Sequence, residues 1–218
     1  MSKSNDAIVS QILNERVVAI ARGILPRDME ALTDALHEGG IGSIEFTFDH
    51  SGVIDPKEML AALSEVRRKG IVTVGVGTVL STEQVQQAAE AGAQFVLSPD
   101  FSPAVVRKTK ELGLVSIPGA LTPSEIVQAY TCGADIVKIF PAGPLGSGYI
   151  KALRGPLPHI PFSAVGGVSA DNAAEYLAAG ANCLGIGGKL VDAEAVARGD
   201  FQAITAAARA LLTAINQA

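Results

Sequence analysis

The chain has 218 residues, 48% of them hydrophobic but only 5% aromatic and none Trp, which suits one globular core of Ala, Val, Ile and Leu and argues against an aromatic-rich sandwich. A net charge of -5, from 17 Lys and Arg against 22 Asp and Glu, lacks the basic excess with which proteins hold nucleic acid. The opening MSKSNDAIVSQILNER has no secretion-type apolar run and no later stretch is uncharged for long enough to span a bilayer, so no membrane partner and a cytoplasmic location are expected.

Short apolar runs alternate with amphipathic stretches along the whole chain. After a short N-terminal helix the runs are VVAIA from Val17, SIEFT from Ser43, IVTVG from Ile71, QFVL from Gln94, LVSI from Leu114, DIVKI from Asp135, PFSA from Pro161 and CLGIG from Cys183. Between and after them, helical patterns fall at about 28–38, 55–69, 81–91, 102–112, 123–131, 147–154, 170–179 and 200–216. Eight strand–helix units with short connections predict an α/β fold, a (βα)8 TIM barrel forming a single domain over residues 1–218; an open doubly wound sheet is the alternative. Glycines at Gly39-Gly40, Gly70, Gly92, Gly113, Gly133 and Gly180 stand where helices should stop in a left-handed turn. Ser81 with Gln84, Thr122 or Ser124, and Ser169 are expected to cap the helices that follow the third, fifth and seventh strands.

Period-two alternation sorts the polar residues of these runs. Ile136, Lys138 and Phe140 share one face of the sixth run while Val137 and Ile139 take the other, so both faces are apolar and the ammonium is costly unless paired or deprotonated. Desolvation lowers an amine's pKa and makes it a nucleophile toward a carbonyl. The competing reading is a structural lysine paired with a carboxylate such as Glu45, which shares a face with Ser43 and Thr47 and can look across the barrel. Arg22, on the face of Val18 and Ile20, emerges at the C-terminal rim of the first strand, where barrel enzymes keep their chemistry. There it can clamp a carboxylate, with Lys189 or Arg154 as the alternative cations.

Val165-Gly166-Gly167-Val168 and Gly185-Ile186-Gly187-Gly188 follow the seventh and eighth strands, the corner where barrels bind phosphate on bare backbone N–H groups, although tight turns use such glycines too. Gly75-Val76-Gly77-Thr78 lacks the third glycine of a dinucleotide fingerprint. His37, His50 and His159 have no metal-ligand spacing and are read as surface or packing residues, and Cys132 and Cys183 as reduced thiols in or near the core.

Over residues 16–191 the chain resembles the class I 2-dehydro-3-deoxy-phosphogluconate / 4-hydroxy-2-oxoglutarate aldolases. The pieces that carry the resemblance are IEFT, VGVGTVL, AGAQFVLSPDF, IPGALTPSE, ADIVKIFPA and AVGGVSADN. It implies that Lys138 forms a Schiff base with a 2-keto acid, that Glu45 is the general acid/base, and that Thr78 and an arginine hold the pyruvate carboxylate. Some members place that arginine four residues after the glutamate, where this chain has Asp49; others place it at the end of the first strand, as Arg22 is here. Gly166 and Gly167 match the phosphate-binding backbone, and Pro118, Phe140, Gly187, Gly188 and Lys189 complete the implied substrate site. Two departures stand out. Val165 replaces the Thr of gluconate-type enzymes, as in relatives acting on the galactonate epimer, and Lys189 stands where Ser is common. The resemblance also implies a homotrimer, a phosphorylated keto-acid substrate and no metal or other cofactor. A phosphosugar epimerase or isomerase, or a barrel that merely binds a phosphorylated ligand, would share the phosphate corner without needing Lys138.

Overall fold

A computed structural model of the protein describes residues 4–217. In chain order the elements are α1 (Asn5–Glu15), β1 (Val17–Ala21), α2 (Met29–Glu38), β2 (Ser43–Thr47), α3 (Pro56–Lys69), β3 (Thr73–Gly77), α4 (Thr82–Glu90), β4 (Phe95–Leu97), α5 (Pro103–Glu111), β5 (Val115–Ile117), β6 (Gly119–Ala120), α6 (Pro123–Thr131), β7 (Val137–Ile139), α7 (Gly146–Arg154), β8 (Phe162–Val165), α8 (Ala173–Ala178), β9 (Cys183–Ile186), α9 (Ala193–Ala197) and α10 (Phe201–Asn216). Every strand pairing is parallel, in the order β5-β4-β3-β2-β1-β9-β8-β7-β6.

The two ends of that order, β5 and β6, are consecutive in the chain on either side of Pro118. They are one barrel stave interrupted at a residue with no N–H to give. The carbonyl oxygens of Ser116 and Pro118 accept bonds from Asp135 N (3.0 Å) and Lys138 N (2.9 Å), which joins this stave to the next and closes the (βα)8 barrel. The open doubly wound alternative is thereby excluded.

Strand alternation builds two separate cores. Outward residues such as Ala19, Ile44, Phe46, Val74, Val137, Phe162 and Leu184 pack beneath the helices. Inward residues Val18, Phe95, Leu97, Val115, Ile117, Ile136 and Cys183 fill the lower lumen, and α1 plugs it from below with Ile8 and Ile12. Each of these fully buried large side chains contributes on the order of 1.5–3 kcal/mol. The plug also satisfies the polar residues at its edge, since Ser43 Oγ donates to Glu15 Oε2 (2.7 Å) and Thr73 Oγ1 to Gln11 Oε1 (2.9 Å). The lower lumen is therefore packed by this cluster, and a cavity opens among residues at the C-terminal ends of the strands.

The predicted punctuation is largely met, with Gly40, Gly70, Gly92, Gly113, Gly133 and Gly180 all at positive φ. Ser81 accepts from Gln84 N, and Thr122, rather than Ser124, makes a capping box with Glu125. Ser169 does not cap as expected. Its own N–H donates to Asn172 Oδ1 (2.9 Å), so residues 170–172 form a turn and α8 starts only at Ala173. The helix α9 has no counterpart in the sequence reading, because five residues are too few to show a period. Among the described residues no helix is long and apolar enough to cross a membrane.

Candidate active site

The inward parity of β1, β7, β8 and β9 delivers a cavity of about 240 Å³ at the barrel's C-terminal mouth; Glu45 on β2 and Thr78 after β3 lie outside its lining. Arg22, Lys138, Phe140, Val165, Gly166, Gly167, Gly187, Gly188 and Lys189 line it, all of them singled out from sequence. Ile20, Val168 and Gly185 complete the lining and were not. Their signals were present: Ile20 shares the face of Arg22, and the other two sit inside the glycine clusters. Pro118 is absent from the walls; it lies on the closing seam, where its carbonyl fixes the backbone of Lys138. Arg154 is excluded as an alternative cation. Its guanidinium donates to the carbonyls of Leu157, Pro158, Ile160 and Gly180 and to Asn182 Oδ1, and it lies 4.4 Å over the Phe162 ring.

Lys138 is only 5% exposed, with Nζ 4.7 Å from the centroid of the Phe140 ring. Glu45 is 1% exposed and rests against Gly77, where a Cβ would stand 2.6 Å from Oε1 and displace the carboxylate from its present place. No salt bridge joins Lys138 to Glu45 among the described residues, and Glu45 Oε2, though buried, has no hydrogen-bond partner among them. The structural-lysine reading thus lacks the contact it needs. Burial pushes the Lys138 pKa down, with the Glu45 charge opposing and Arg22 adding to the shift. Burial pushes the Glu45 pKa up, against the pull of Lys138 and Arg22. Both shifts favour a free amine beside a carboxyl that can still give a proton.

Arg22 Nη2 donates to Thr78 Oγ1 at 3.2 Å, so two residues 56 apart in the chain meet at the rim. Thr78 has φ 58°, a left-handed conformation that costs a β-branched residue about 1–3 kcal/mol and is kept only where the surroundings enforce it. Asp49, which occupies the arginine position of some family members, builds a turn instead. Its carboxylate accepts from Ser51 Oγ (2.6 Å), Ile54 N (2.8 Å), Ser51 N (2.8 Å) and Val53 N (2.8 Å), which hold its pKa down to about 2.

Gly166 and Gly167 have φ +88° and +84°, a pair of consecutive left-handed residues. Space is short there as well: a Cβ on Gly166 would crowd the Phe140 ring at 3.2 Å, and one on Gly167 would clash with the Gly143 backbone at 2.8 Å. Bonds from Gly143 N to Gly166 O (2.6 Å) and from Asn172 Nδ2 to Gly167 O (3.0 Å) pin the loop. Lys189 is exposed and lines the same cavity, so the mouth carries positive charge at both Arg22 and Lys189.

A sequence profile described as "Aldolase: KDPG and KHG aldolase" matches residues 8–207. The chain is 37% identical over 186 residues to a probable 2-dehydro-3-deoxy-6-phosphogalactonate aldolase of Rhizobium meliloti strain 1021, covering 85% of this chain and 86% of the relative. It is 39% identical over 206 residues to the 2-dehydro-3-deoxy-phosphogluconate aldolase of Treponema pallidum strain Nichols, covering 93% and 95%. A solved structure of KDPG aldolase from Legionella pneumophila, with pyruvate captured as a covalent carbinolamine intermediate, superimposes with a TM-score of 0.83 at 26% identity, covering 93% of this chain and 97% of that one.

Proposed function

The chain belongs to the KDPG and KHG aldolase family, and on that premise we propose that the cavity between Arg22 and Lys189 is where it cleaves a keto-deoxy phosphosugar acid to pyruvate and an aldehyde. The enzyme is a lyase, a class I pyruvate-dependent aldolase whose family works through a Schiff base. The observation that carries the assignment of the site is a buried lysine on the cavity wall with no salt bridge among the described residues, within charge interaction of Glu45, whose buried Oε2 has no hydrogen-bond partner among them. Trapping of the imine on Lys138 is its test.

In this reading the free amine of Lys138 attacks the C2 ketone, giving a carbinolamine. Glu45 protonates the departing hydroxyl, which leaves as water, and the iminium remains. Glu45, now a carboxylate, takes the proton of the C4 hydroxyl. The C3–C4 bond breaks, its electron pair flows into the iminium, and the products are an aldehyde and an enamine. Glu45 returns the proton to C3, and water hydrolyses the resulting iminium to pyruvate and free lysine. Arg22, steadied by Thr78, pairs with the C1 carboxylate, which sets C2 within reach of Nζ. The released aldehyde is glyceraldehyde 3-phosphate or, from 4-hydroxy-2-oxoglutarate, glyoxylate. The protein acts as a homotrimer, the assembly that the family resemblance implies.

Arg22→Ala is expected to weaken use of pyruvate as a carboxylate by about 1.5–3 kcal/mol, the usual loss for a hydrogen bond to a charged group. Arg22→Lys restores part of it, since an ammonium has no planar fork. Steady-state kinetics unchanged in Arg22→Ala would assign the carboxylate to Lys189.

The glycine corner grips the distal phosphate and Val165 reads C4. Val cannot hydrogen-bond a hydroxyl, and an apolar wall discriminates by only ~1–3 kcal/mol per methylene-sized difference. The galactonate-type epimer should therefore be used at least as well as the gluconate type, and Val165→Thr should move preference toward the latter. The measurement is kcat/KM for both 6-phosphorylated epimers, their unphosphorylated forms and 4-hydroxy-2-oxoglutarate. Equal efficiency with and without phosphate refutes the anion corner; a strong gluconate-type preference in the unaltered enzyme refutes the role of Val165.

A further inference from the structure

The left-handed conformation of Thr78 needs a cause. The backbone around it is held from three directions: Phe48 N donates to Gly77 O (2.9 Å), Val79 N donates to Leu97 O (3.1 Å), and His50 Nε2 lies 3.0 Å from Thr78 O. A carbonyl oxygen can only accept, so Nε2 carries the proton of that last bond. Among the described residues His50 is the one side chain that bonds to the Thr78 main chain. It can do so because Asp49, its neighbour, folds residues 49–54 into a turn fixed by four hydrogen bonds. The same substitution that removes a cation from position 49 thus builds the loop that presents His50 to Thr78.

We propose that His50 is a positioning residue for the substrate carboxylate: it fixes the Thr78 carbonyl, the fixed peptide aims Thr78 Oγ1 at Arg22, and the guanidinium is thereby held for a carboxylate it would otherwise reach from many rotamers. His50 touches no reacting atom. Its contribution is the entropy that Arg22 and Thr78 need not lose on binding. The inference rests on the carboxylate role of Arg22 given under the proposed function.

The test compares two ketones in borohydride trapping, pyruvate and acetone, which differ in the carboxylate. In His50→Ala the pyruvate concentration for half-maximal trapping should rise about tenfold, the scale of one lost hydrogen bond, while the maximal trapping rate and the response to acetone stay as they were. His50→Gln, whose amide N–H can donate to the same carbonyl, should recover most of the pyruvate affinity. Equal losses with pyruvate and acetone would show a merely structural role and overturn the proposal, as would an unchanged pyruvate concentration dependence in His50→Ala. Arg22→Ala is run alongside. If it loses pyruvate affinity while His50→Ala does not, only the positioning role falls; if neither loses it, the carboxylate reading falls and takes this one with it.

Discussion

Borohydride added to the enzyme with pyruvate will fix a reduced pyruvyl group on the peptide containing Lys138, and Lys138→Ala will take up none. The expectation follows from the environment of the amine. It is 5% exposed, packed over Phe140 and in no salt bridge among the described residues, and burial drives its pKa below the ordinary 10.5, which favours free base. Imine formation needs that free base and the dehydration step needs the Glu45 proton, so the trapping rate should rise with pH through a midpoint below 10.5 and fall again as Glu45 ionises. Removing the nucleophile removes the covalent route altogether, and turnover should fall on the order of 10⁴- to 10⁶-fold, the scale seen when other enzymes lose theirs. Lys138→Arg keeps the charge without a nucleophilic amine and should be as inactive. Mass spectrometry of the digested, reduced protein decides the matter: label persisting in Lys138→Ala would move the Schiff base elsewhere.

The second large effect is expected at Glu45. Gln has nearly the same shape and fits the space that Gly77 leaves, so Glu45→Gln should fold and keep the cavity while losing the group that moves protons. General acid/base catalysis contributes ~10²–10⁴-fold, and turnover should drop by that factor with pyruvate affinity little changed. Burial holds the carboxyl pKa above its ordinary value, so the proton-donating form persists to higher pH than an exposed glutamate would allow. The unaltered enzyme should therefore keep its dehydration step to higher pH than an exposed glutamate would allow. Exchange of the C3 protons of pyruvate with deuterated solvent isolates the proton transfer from the cleavage of the carbon bond. If Glu45→Gln exchanges those protons at the unaltered rate, Glu45 is not the residue that moves them.

Much of this architecture is carried by short-range pattern. The alternation of VVAIA, SIEFT and DIVKI with amphipathic stretches reports the eight strand–helix units, because a strand's side chains repeat every two residues and a helix's about every 3.6. The same parity groups Arg22 with Ile20, Glu45 with Thr47 and Lys138 with Phe140 on single strand faces, and the closed barrel makes those faces the inner ones. The glycines at helix ends are legible for an equally local reason, the steric cost of a Cβ at positive φ. Where the reading slipped, local signals competed: Ser169 looks like a cap, but Asn172 reaches back to its N–H and delays α8 to Ala173.

What the sequence by itself determined, then, is the kind of layers this chain forms and which residues share a strand face. The tertiary structure alone decided that the barrel closes through a stave split at Pro118 and that α1 plugs its floor. It also decided that no salt bridge joins Lys138 to Glu45 among the described residues, that Arg154 is spent on carbonyls outside the cavity lining, and that Arg22, Thr78 and His50 form one chain of contacts. The physical reason is the same in each case. Periodicity fixes the direction of a side chain relative to its own backbone, whereas a contact between residues 28 or 56 positions apart depends on the shear of the closed sheet and the path of two loops, which no local repeat encodes.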